Sequence, residues 1–269
     1  MNSFTLHDRR ITYQTAGQSG PNVVLVHCSN ASHREWASLI ELLQNRFRCY
    51  APDLIGYGES DPWPIDEPFD PYADVQVLAK LVAIIGEPVM LVGHSYGGAV
   101  SLEFARQNPN QVKKMVLIEP VAFQLLAVTQ STQEWQQVVR LAESVQRAIA
   151  KNNPVRAARN FMRYWGGWVQ WWLMPKKVRQ NFIRTIGKVA KEFDIISKVR
   201  PELSDYEQLN IPVRLIAGSR TRQPAKKIVN ILQQLLPNVE SHVVHGAGHM
   251  CPFTHKAQVN SLINDFLQG

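Results

Sequence analysis

Three residues stand where a nucleophile and its helpers would have to stand. Ser95 lies in GHSYGG (93–98), a G-x-S-x-G pattern set between an apolar run and a helix-like segment. A strand turning straight into a helix brings backbones close and strains the residue at the bend, which is why glycines must flank it. The strained serine would then stand exposed, with the free N–H groups and positive dipole end of a helix behind it. The bland alternative is a small-residue packing turn. A serine hydroxyl is a weak nucleophile at neutral pH and needs an adjacent base. Of the eight histidines, His249 in HGAGHM is the best placed, in the loop between the last strand and the last helix. His245 is the rival, but Gly246 and Gly248 make a turn that would project His249. His27 and His94 read as structural residues beside the site, and His7, His33, His242 and His255 as surface or loop residues.

Such a pair needs two further things. Charge developing on a carbonyl oxygen must meet preorganised donors. The backbone N–H of Tyr96, next after the serine, is one expected donor, and that of Ser29, in the loop CSNASHREW, is the other. The base in turn needs a carboxylate on its far ring nitrogen, to set the tautomer and stabilise the imidazolium. The turn GSRTRQP (218–224) is well sited for one but contains none, only Thr221 between Arg220 and Arg222. The expected acid is therefore Glu119, which closes the buried run MVLI one strand away. A carboxylate there is costly without a partner, and His249 would be that partner. The competing reading makes Glu119 a cap for the following loop.

The elements that must position these residues alternate. NVVLVH (22–27) is a continuous apolar run, as in a strand buried on both faces. A helix pattern follows from His33 to about Asn45, then strand RCYAPDL (48–54), helix 73–86, strand PVMLVGH (88–94), the helix opened by Ser95, and strand VKKMVLIEP (112–120). Strands alternating with helices through short loops indicate parallel βαβ units. From Ala122 to about Leu203 the pattern is helical throughout, with breaks at 152–154, 166–167 and 175. Strand, helix, strand and helix then return. The charge changes at the same boundary: of a net +7, the segment 122–200 carries fourteen basic and four acidic residues, so the remainder is acidic on balance.

Taken together, VLVHCS, APDLIGYGES, GHSYGG and GAGHM resemble the α/β-hydrolase fold superfamily over essentially the whole chain. The resemblance implies an α/β fold, a mostly parallel eight-stranded sheet flanked by helices with a helical cap inserted after strand 6. It implies a core of residues 1–121 and 203–269 and a cap of 122–202. It also implies acyl transfer from a carboxylic ester or thioester through a Ser95–His249–Glu119 triad, with Ser29 and Tyr96 as the oxyanion donors. Relatives that open epoxides or displace halide carry Asp at the nucleophile position, where this chain has Ser95. Two departures stand out: His27-Cys28 replaces the frequent His-Gly, and Thr221 occupies the place where similar proteins commonly carry Asp. A C–C bond hydrolase acting on a diketone-type substrate and a ligand receptor that retains the triad are the alternatives.

Cys28, Trp168 and Met250 are expected to line the substrate pocket. The cap tryptophans Trp165, Trp168, Trp171 and Trp172 read either as the cap's own core or as the wall of an apolar acyl pocket. The basic residues around them would meet an anionic or carrier-bound small-molecule substrate, or a membrane surface. No nucleic-acid recognition motif accompanies the charge. Three unpaired cysteines indicate neither a disulfide framework nor a zinc site, and no dinucleotide or Walker loop is present, so no cofactor and no metal are expected. No signal-peptide core and no apolar run of ~20 residues occur, which points to a cytoplasmic protein without a membrane span.

Overall fold

The computed structural model describes every residue except 64–66 and 68, and every side chain except those of 168, 170 and 194–198. The first two strands, β1 (Asn2–Leu6) and β2 (Arg9–Ala16), form an antiparallel hairpin. The others are β3 (Asn22–Val26), β4 (Arg48–Pro52), β5 (Val89–His94), β6 (Val112–Ile118), β7 (Val213–Gly218) and β8 (Val239–Val244). They make one eight-stranded sheet in the order β1-β2-β4-β3-β5-β6-β7-β8, parallel from β4 to β8.

The apolar runs read from the sequence are buried because both faces of the sheet are covered. Side chains alternate across a strand. Val24, Val26, Leu91, Leu117 and Leu215 therefore pack on one face, under α2 (Ala73–Ile85), α3 (Tyr96–Gln107) and, further along, α10 (Gln223–Leu235). Val23, Leu25, Val92, Val116, Ile118 and Ile216 pack on the other, under α1 (Ala37–Leu43) and α12 (Lys256–Gln268). Each such side chain contributes roughly 1.5–3 kcal/mol by leaving water.

Between β6 and β7 the chain forms α4 (Gln124–Val128), α5 (Thr132–Ala150), α6 (Pro154–Gly166), α7 (Trp168–Leu173), α8 (Lys176–Lys198) and α9 (Leu203–Glu207). The breaks have local causes. Asn153 caps α6 by accepting the Arg156 N–H at 3.0 Å, and Pro154 opens that helix. The apolar stripes of α5, α6 and α8, among them Val138, Leu141, Val145, Ala157, Ile186 and Val189, join the core cluster on the α2/α3 side.

One expected element differs. The helix anticipated from His33 begins as a 3₁₀ turn, His33–Trp36, before α1. His33 is buried rather than at the surface. Its backbone N–H donates to Asp53 Oδ1 at 2.7 Å and its Nδ1 meets the same oxygen at 2.9 Å, so this first turn is pinned to the loop after β4.

Candidate active site

The loops after β3, β5, β6, β7 and β8 all leave the same edge of the parallel sheet, and they carry Ser29, Ser95, Glu119, Thr221 and His249 respectively. Ser95 sits at φ 54°, ψ −116°. That is the left-handed region, which a residue with a side chain enters only at a cost of ~1–3 kcal/mol. Neighbouring hydrogen bonds hold it there: Ser95 N–H donates to Ile118 O at 2.9 Å, and its own carbonyl accepts from Ala99 and Val121. The flanking glycines are required by contact. A Cβ on Gly93 would lie 2.6 Å from Gly97 O, and one on Gly97 would lie 2.3 Å from Val26 O.

Ser95, His249 and Glu119 meet and are all buried. Ser95 Oγ is 2.9 Å from His249 Nε2, and His249 Nδ1 is 3.1 Å from Glu119 Oε2. An ionised carboxylate can only accept, so Nδ1 carries the proton and Nε2 is left to accept from the serine hydroxyl. Two further donors reach Glu119: Gly218 N–H at 2.6 Å on Oε1 and the Thr221 hydroxyl at 2.5 Å on Oε2. Thr221, the residue in place of an acid, thus serves the acid supplied by the neighbouring strand. Burial would raise the Glu119 pKa, but these hydrogen bonds and the His249 ring outweigh it and hold it below the usual carboxylate range. Glu119 is itself left-handed, at φ 49°, and its N–H is tied to Ile216 O at 2.9 Å. The rival His245 is exposed.

Ser29, Ser95 and Tyr96 line one pocket. Tyr96 is the first residue of α3, so its N–H has no partner within the helix. The Ser29 N–H takes no backbone acceptor among the described residues. The Cys28 N–H, one residue earlier, donates to Glu35 Oε2 at 2.9 Å.

Two buried polar networks brace this loop; the sequence gives His94 a structural place beside the site but names none of the partners. In the first, Glu35 Oε1 is 2.6 Å from His94 Nδ1, and His94 Nε2 is 3.0 Å from the His249 carbonyl. Both partners are acceptors, so both His94 nitrogens carry protons and the ring is an imidazolium. Burial alone would lower its pKa; the charge and hydrogen bond of Glu35 raise it instead. The pair joins the loop of Ser29 to the loop of His249. In the second, Lys188 on α8 reaches across to Asp74 Oδ2 at 2.6 Å and lies 3.3 Å from Glu192 Oε1. Asp74 also accepts from the Tyr96 hydroxyl at 2.8 Å, and Glu192 from the Ser29 hydroxyl and the Tyr57 hydroxyl, both at 2.6 Å. Burial would lower the Lys188 pKa, but the two carboxylates outweigh it and raise it; burial raises that of Glu192. The Ser29 side chain is therefore anchored directly to α8 through Glu192, and the Tyr96 side chain to Asp74 of α2, which Lys188 of α8 holds in turn. The signals were present as ordinary charges at Glu35, Asp74, Lys188 and Glu192; Lys188 and Glu192 share one helix face at i,i+4, but no local pattern ties them to Asp74, or ties Glu35 to His94.

The pocket beside Ser95 opens to solvent, and its unfilled space amounts to about 690 Å³ with the open solvent at its mouth included. Its walls are mainly apolar: Val75, Val100, Val121, Phe123, Trp165 and Phe193 among them. Trp165, from the end of α6, stacks on His249 with ring centres 3.8 Å apart. The expected lining differs in detail. Cys28 is buried behind the loop, its backbone held by Glu35, and does not line the pocket. Met250 lies past His249, at the N-cap of α11 (Cys251–Thr254), where its carbonyl accepts from Phe253 and Thr254, and it is not in the wall either. The side chain of Trp168 lies outside the described residues. A metal-compatible set does exist in Cys28, Glu35 and His94, whose ligand atoms lie within 4.8 Å of one another. Its donors are already taken up, however: His94 is protonated on both nitrogens, and burial pushes the Cys28 thiol well above its ordinary pKa. All three cysteines are buried free thiols, and no helix among the described residues is long and apolar enough to cross a membrane.

Comparison with known proteins agrees with this architecture. The chain is 36% identical over 115 residues to an uncharacterized protein of Mycobacterium tuberculosis, a match covering 42% of this chain and 33% of that protein. It is 40% identical over 112 residues to lipase LipV of the same organism, covering 40% of each. These matches thus span only about a third to two fifths of the length of those curated relatives. A solved alpha/beta hydrolase, MGS-M2 from a Medee basin deep-sea metagenome library, superposes with a TM-score of 0.84 at 18% identity, covering 100% of this chain and 98% of that one. The sequence profile of the alpha/beta hydrolase family matches residues 23–262, which run from β3 through the inserted helices into α12 and leave out the β1–β2 hairpin, and the chain belongs to that family.

Proposed function

We propose that this alpha/beta hydrolase is a serine esterase that cleaves carboxylic esters or thioesters through an acyl-enzyme. The observation that carries the proposal is the hydrogen-bonded series Ser95 Oγ, His249 Nε2, His249 Nδ1, Glu119 Oε2, at 2.9 and 3.1 Å, opening on an apolar pocket. The Ser95 proton passes to His249 Nε2 as Oγ attacks the carbonyl carbon, and the electron pair displaced onto oxygen is held by the Ser29 and Tyr96 N–H groups. Collapse expels the alcohol or thiol, which takes the proton back from His249. Water then repeats the sequence against the acyl-enzyme and releases the acid. Residues 122–202 act as a cap over this chemistry, with Trp165 as the part that covers the base.

The pH dependence follows from that covering. Burial lowers the His249 pKa from its ordinary value of 6.5, against the opposing pull of Glu119. The working base is the neutral ring, so kcat/KM is lost as pH falls through that pKa, and the acid limb is expected below pH 6.5. Trp165→Ala admits water beside the ring and should move the limb up towards 6.5. A wild-type limb at or above that value would remove the argument.

The chemistry itself is tested by incubation with a fluorophosphonate and peptide mapping, alongside steady-state turnover of short p-nitrophenyl esters. The expected result is an adduct on Ser95 and sustained turnover. An adduct on Cys28 or Cys251 would defeat the assignment, and a burst with no steady state would mark a receptor that retains the triad.

A further inference from the structure

The outer side of the inserted helices carries charge and apolar surface that the proposed reaction does not use. From Ser144 to Lys191 the chain has eleven Lys and Arg residues and no Asp or Glu. Lys188 is spent inside, on Asp74. Arg156, Arg159, Arg163, Lys176, Lys177 and Arg184 stand exposed. Among them stand large apolar side chains. Val169, Trp172 and Leu173, spaced to share one face of α7, are 47%, 60% and 76% exposed. Val178 in the first turn of α8 is 51% exposed, and Val155 at the start of α6 is 45%. The two kinds of residue form one surface. The Arg159 guanidinium lies 5.6 Å above the Trp172 ring, and both line a shallow groove with Val155, Arg156 and Arg163. Arg179 lies 5.7 Å over Trp171 and joins the start of α8 to α7.

Exposed apolar side chains clustered in this way mark an interaction surface. The charge around them selects the partner. Protruding Trp, Leu and Val side chains among Lys and Arg residues, in a stretch without Asp or Glu, match a layer with anionic phosphates outside and acyl chains beneath. A nucleic-acid backbone would satisfy the cations and leave the apolar side chains in water. We infer that this face docks on an anionic lipid bilayer. Trp172 and Leu173 enter the boundary between headgroups and acyl chains, while Lys176, Lys177 and the α6 arginines meet the phosphates.

The experiment is co-sedimentation of the whole protein with vesicles of dialkyl-ether lipids, which no esterase can cleave, so binding is read whether or not Ser95 is the nucleophile. One set is an equal mixture of phosphatidylglycerol and phosphatidylcholine, the other phosphatidylcholine alone. Binding is expected to the first set and not the second. It should weaken as salt rises from ~0.1 M to ~1 M and the Debye length shrinks from ~10 Å to ~3 Å. Trp172→Ala with Leu173→Ala, and separately Lys176→Glu with Lys177→Glu, should each lower the partition about tenfold or more, since one basic residue near such a surface is worth roughly fivefold. All four positions are exposed, so the thermal midpoints should stay near wild type. Equal binding to both vesicle sets, or wild-type binding by the Trp172/Leu173 variant, would overturn the inference. So would binding to duplex DNA that survives while vesicle binding is absent, or self-association through this face without vesicle binding.

Discussion

Glu119→Gln is expected to lower kcat by about 10⁴-fold while the fold persists, the scale of loss seen when a triad acid is replaced by its amide. The carboxylate accepts from three donors at once: His249 Nδ1, the Thr221 hydroxyl and Gly218 N–H. An amide has one acceptor oxygen, so its NH₂ must face a donor whichever way it turns. If it faces His249, the ring answers by moving its proton to Nε2, where it can no longer accept from Ser95. The buried mismatch should also cost ~1–3 kcal/mol of stability, well short of unfolding a domain of this size. The partner experiment is Thr221→Asp. In the Glu119→Gln background it supplies a carboxylate from the adjacent loop and is expected to recover part of the lost rate. In the wild-type background it places two carboxylates within hydrogen-bonding reach in a buried site, so one must take up a proton and stability should fall. A kcat within tenfold of wild type for Glu119→Gln would mean that something else orients His249.

Lys188→Met is expected to act at a distance on the same reaction. It removes the cation from a buried cluster and leaves Asp74 and Glu192 unpaired, at a cost of about 3–5 kcal/mol. Those carboxylates hold the side chains of Tyr96 and Ser29. As they relax, the two N–H groups lose their aim, and a displacement of about 1 Å is enough to lower kcat by roughly 10²-fold with KM little changed. Affinity for a trifluoromethyl ketone, which forms an oxyanion on binding, should fall in parallel. Titrating the sites with a fluorophosphonate counts the competent molecules and separates this from simple unfolding. A wild-type kcat per titrated site would show that Lys188 serves stability alone.

The sheet and the position of the candidate nucleophile were legible in the sequence because they depend on short-range constraints. Runs such as NVVLV and VMLVGH are apolar on both faces, and their alternation with helices through short loops marks a parallel sheet. The order of the strands, with β4 outside β3 and β6 joined to β7 only across the inserted helices, is a tertiary matter. Gly93 and Gly97 are demanded by backbone contacts within a few residues of Ser95 or with the adjacent strand. Glu119 could be inferred by elimination, since a carboxylate closing a buried run needs a partner and the next turn offered only Thr221. Other features depended on distance between elements. His33 looked like a loop residue until Asp53, twenty positions on, came within 2.7 Å of its backbone N–H. Glu35 and His94 are 59 positions apart, and Lys188 and Asp74 are 114 apart, so no period or motif links either pair. Local sequence determines where the chain must bend and which runs it must bury. Only the tertiary structure decides which charges are taken out of water together, because burial is what obliges a charge to find its partner, and partners are chosen by proximity in space. That is why the sequence by itself placed Ser95, His249 and Glu119 at one edge of the sheet, while Trp165 over His249 and Lys188 behind the loop of Ser29 are set by how the inserted helices pack on the core.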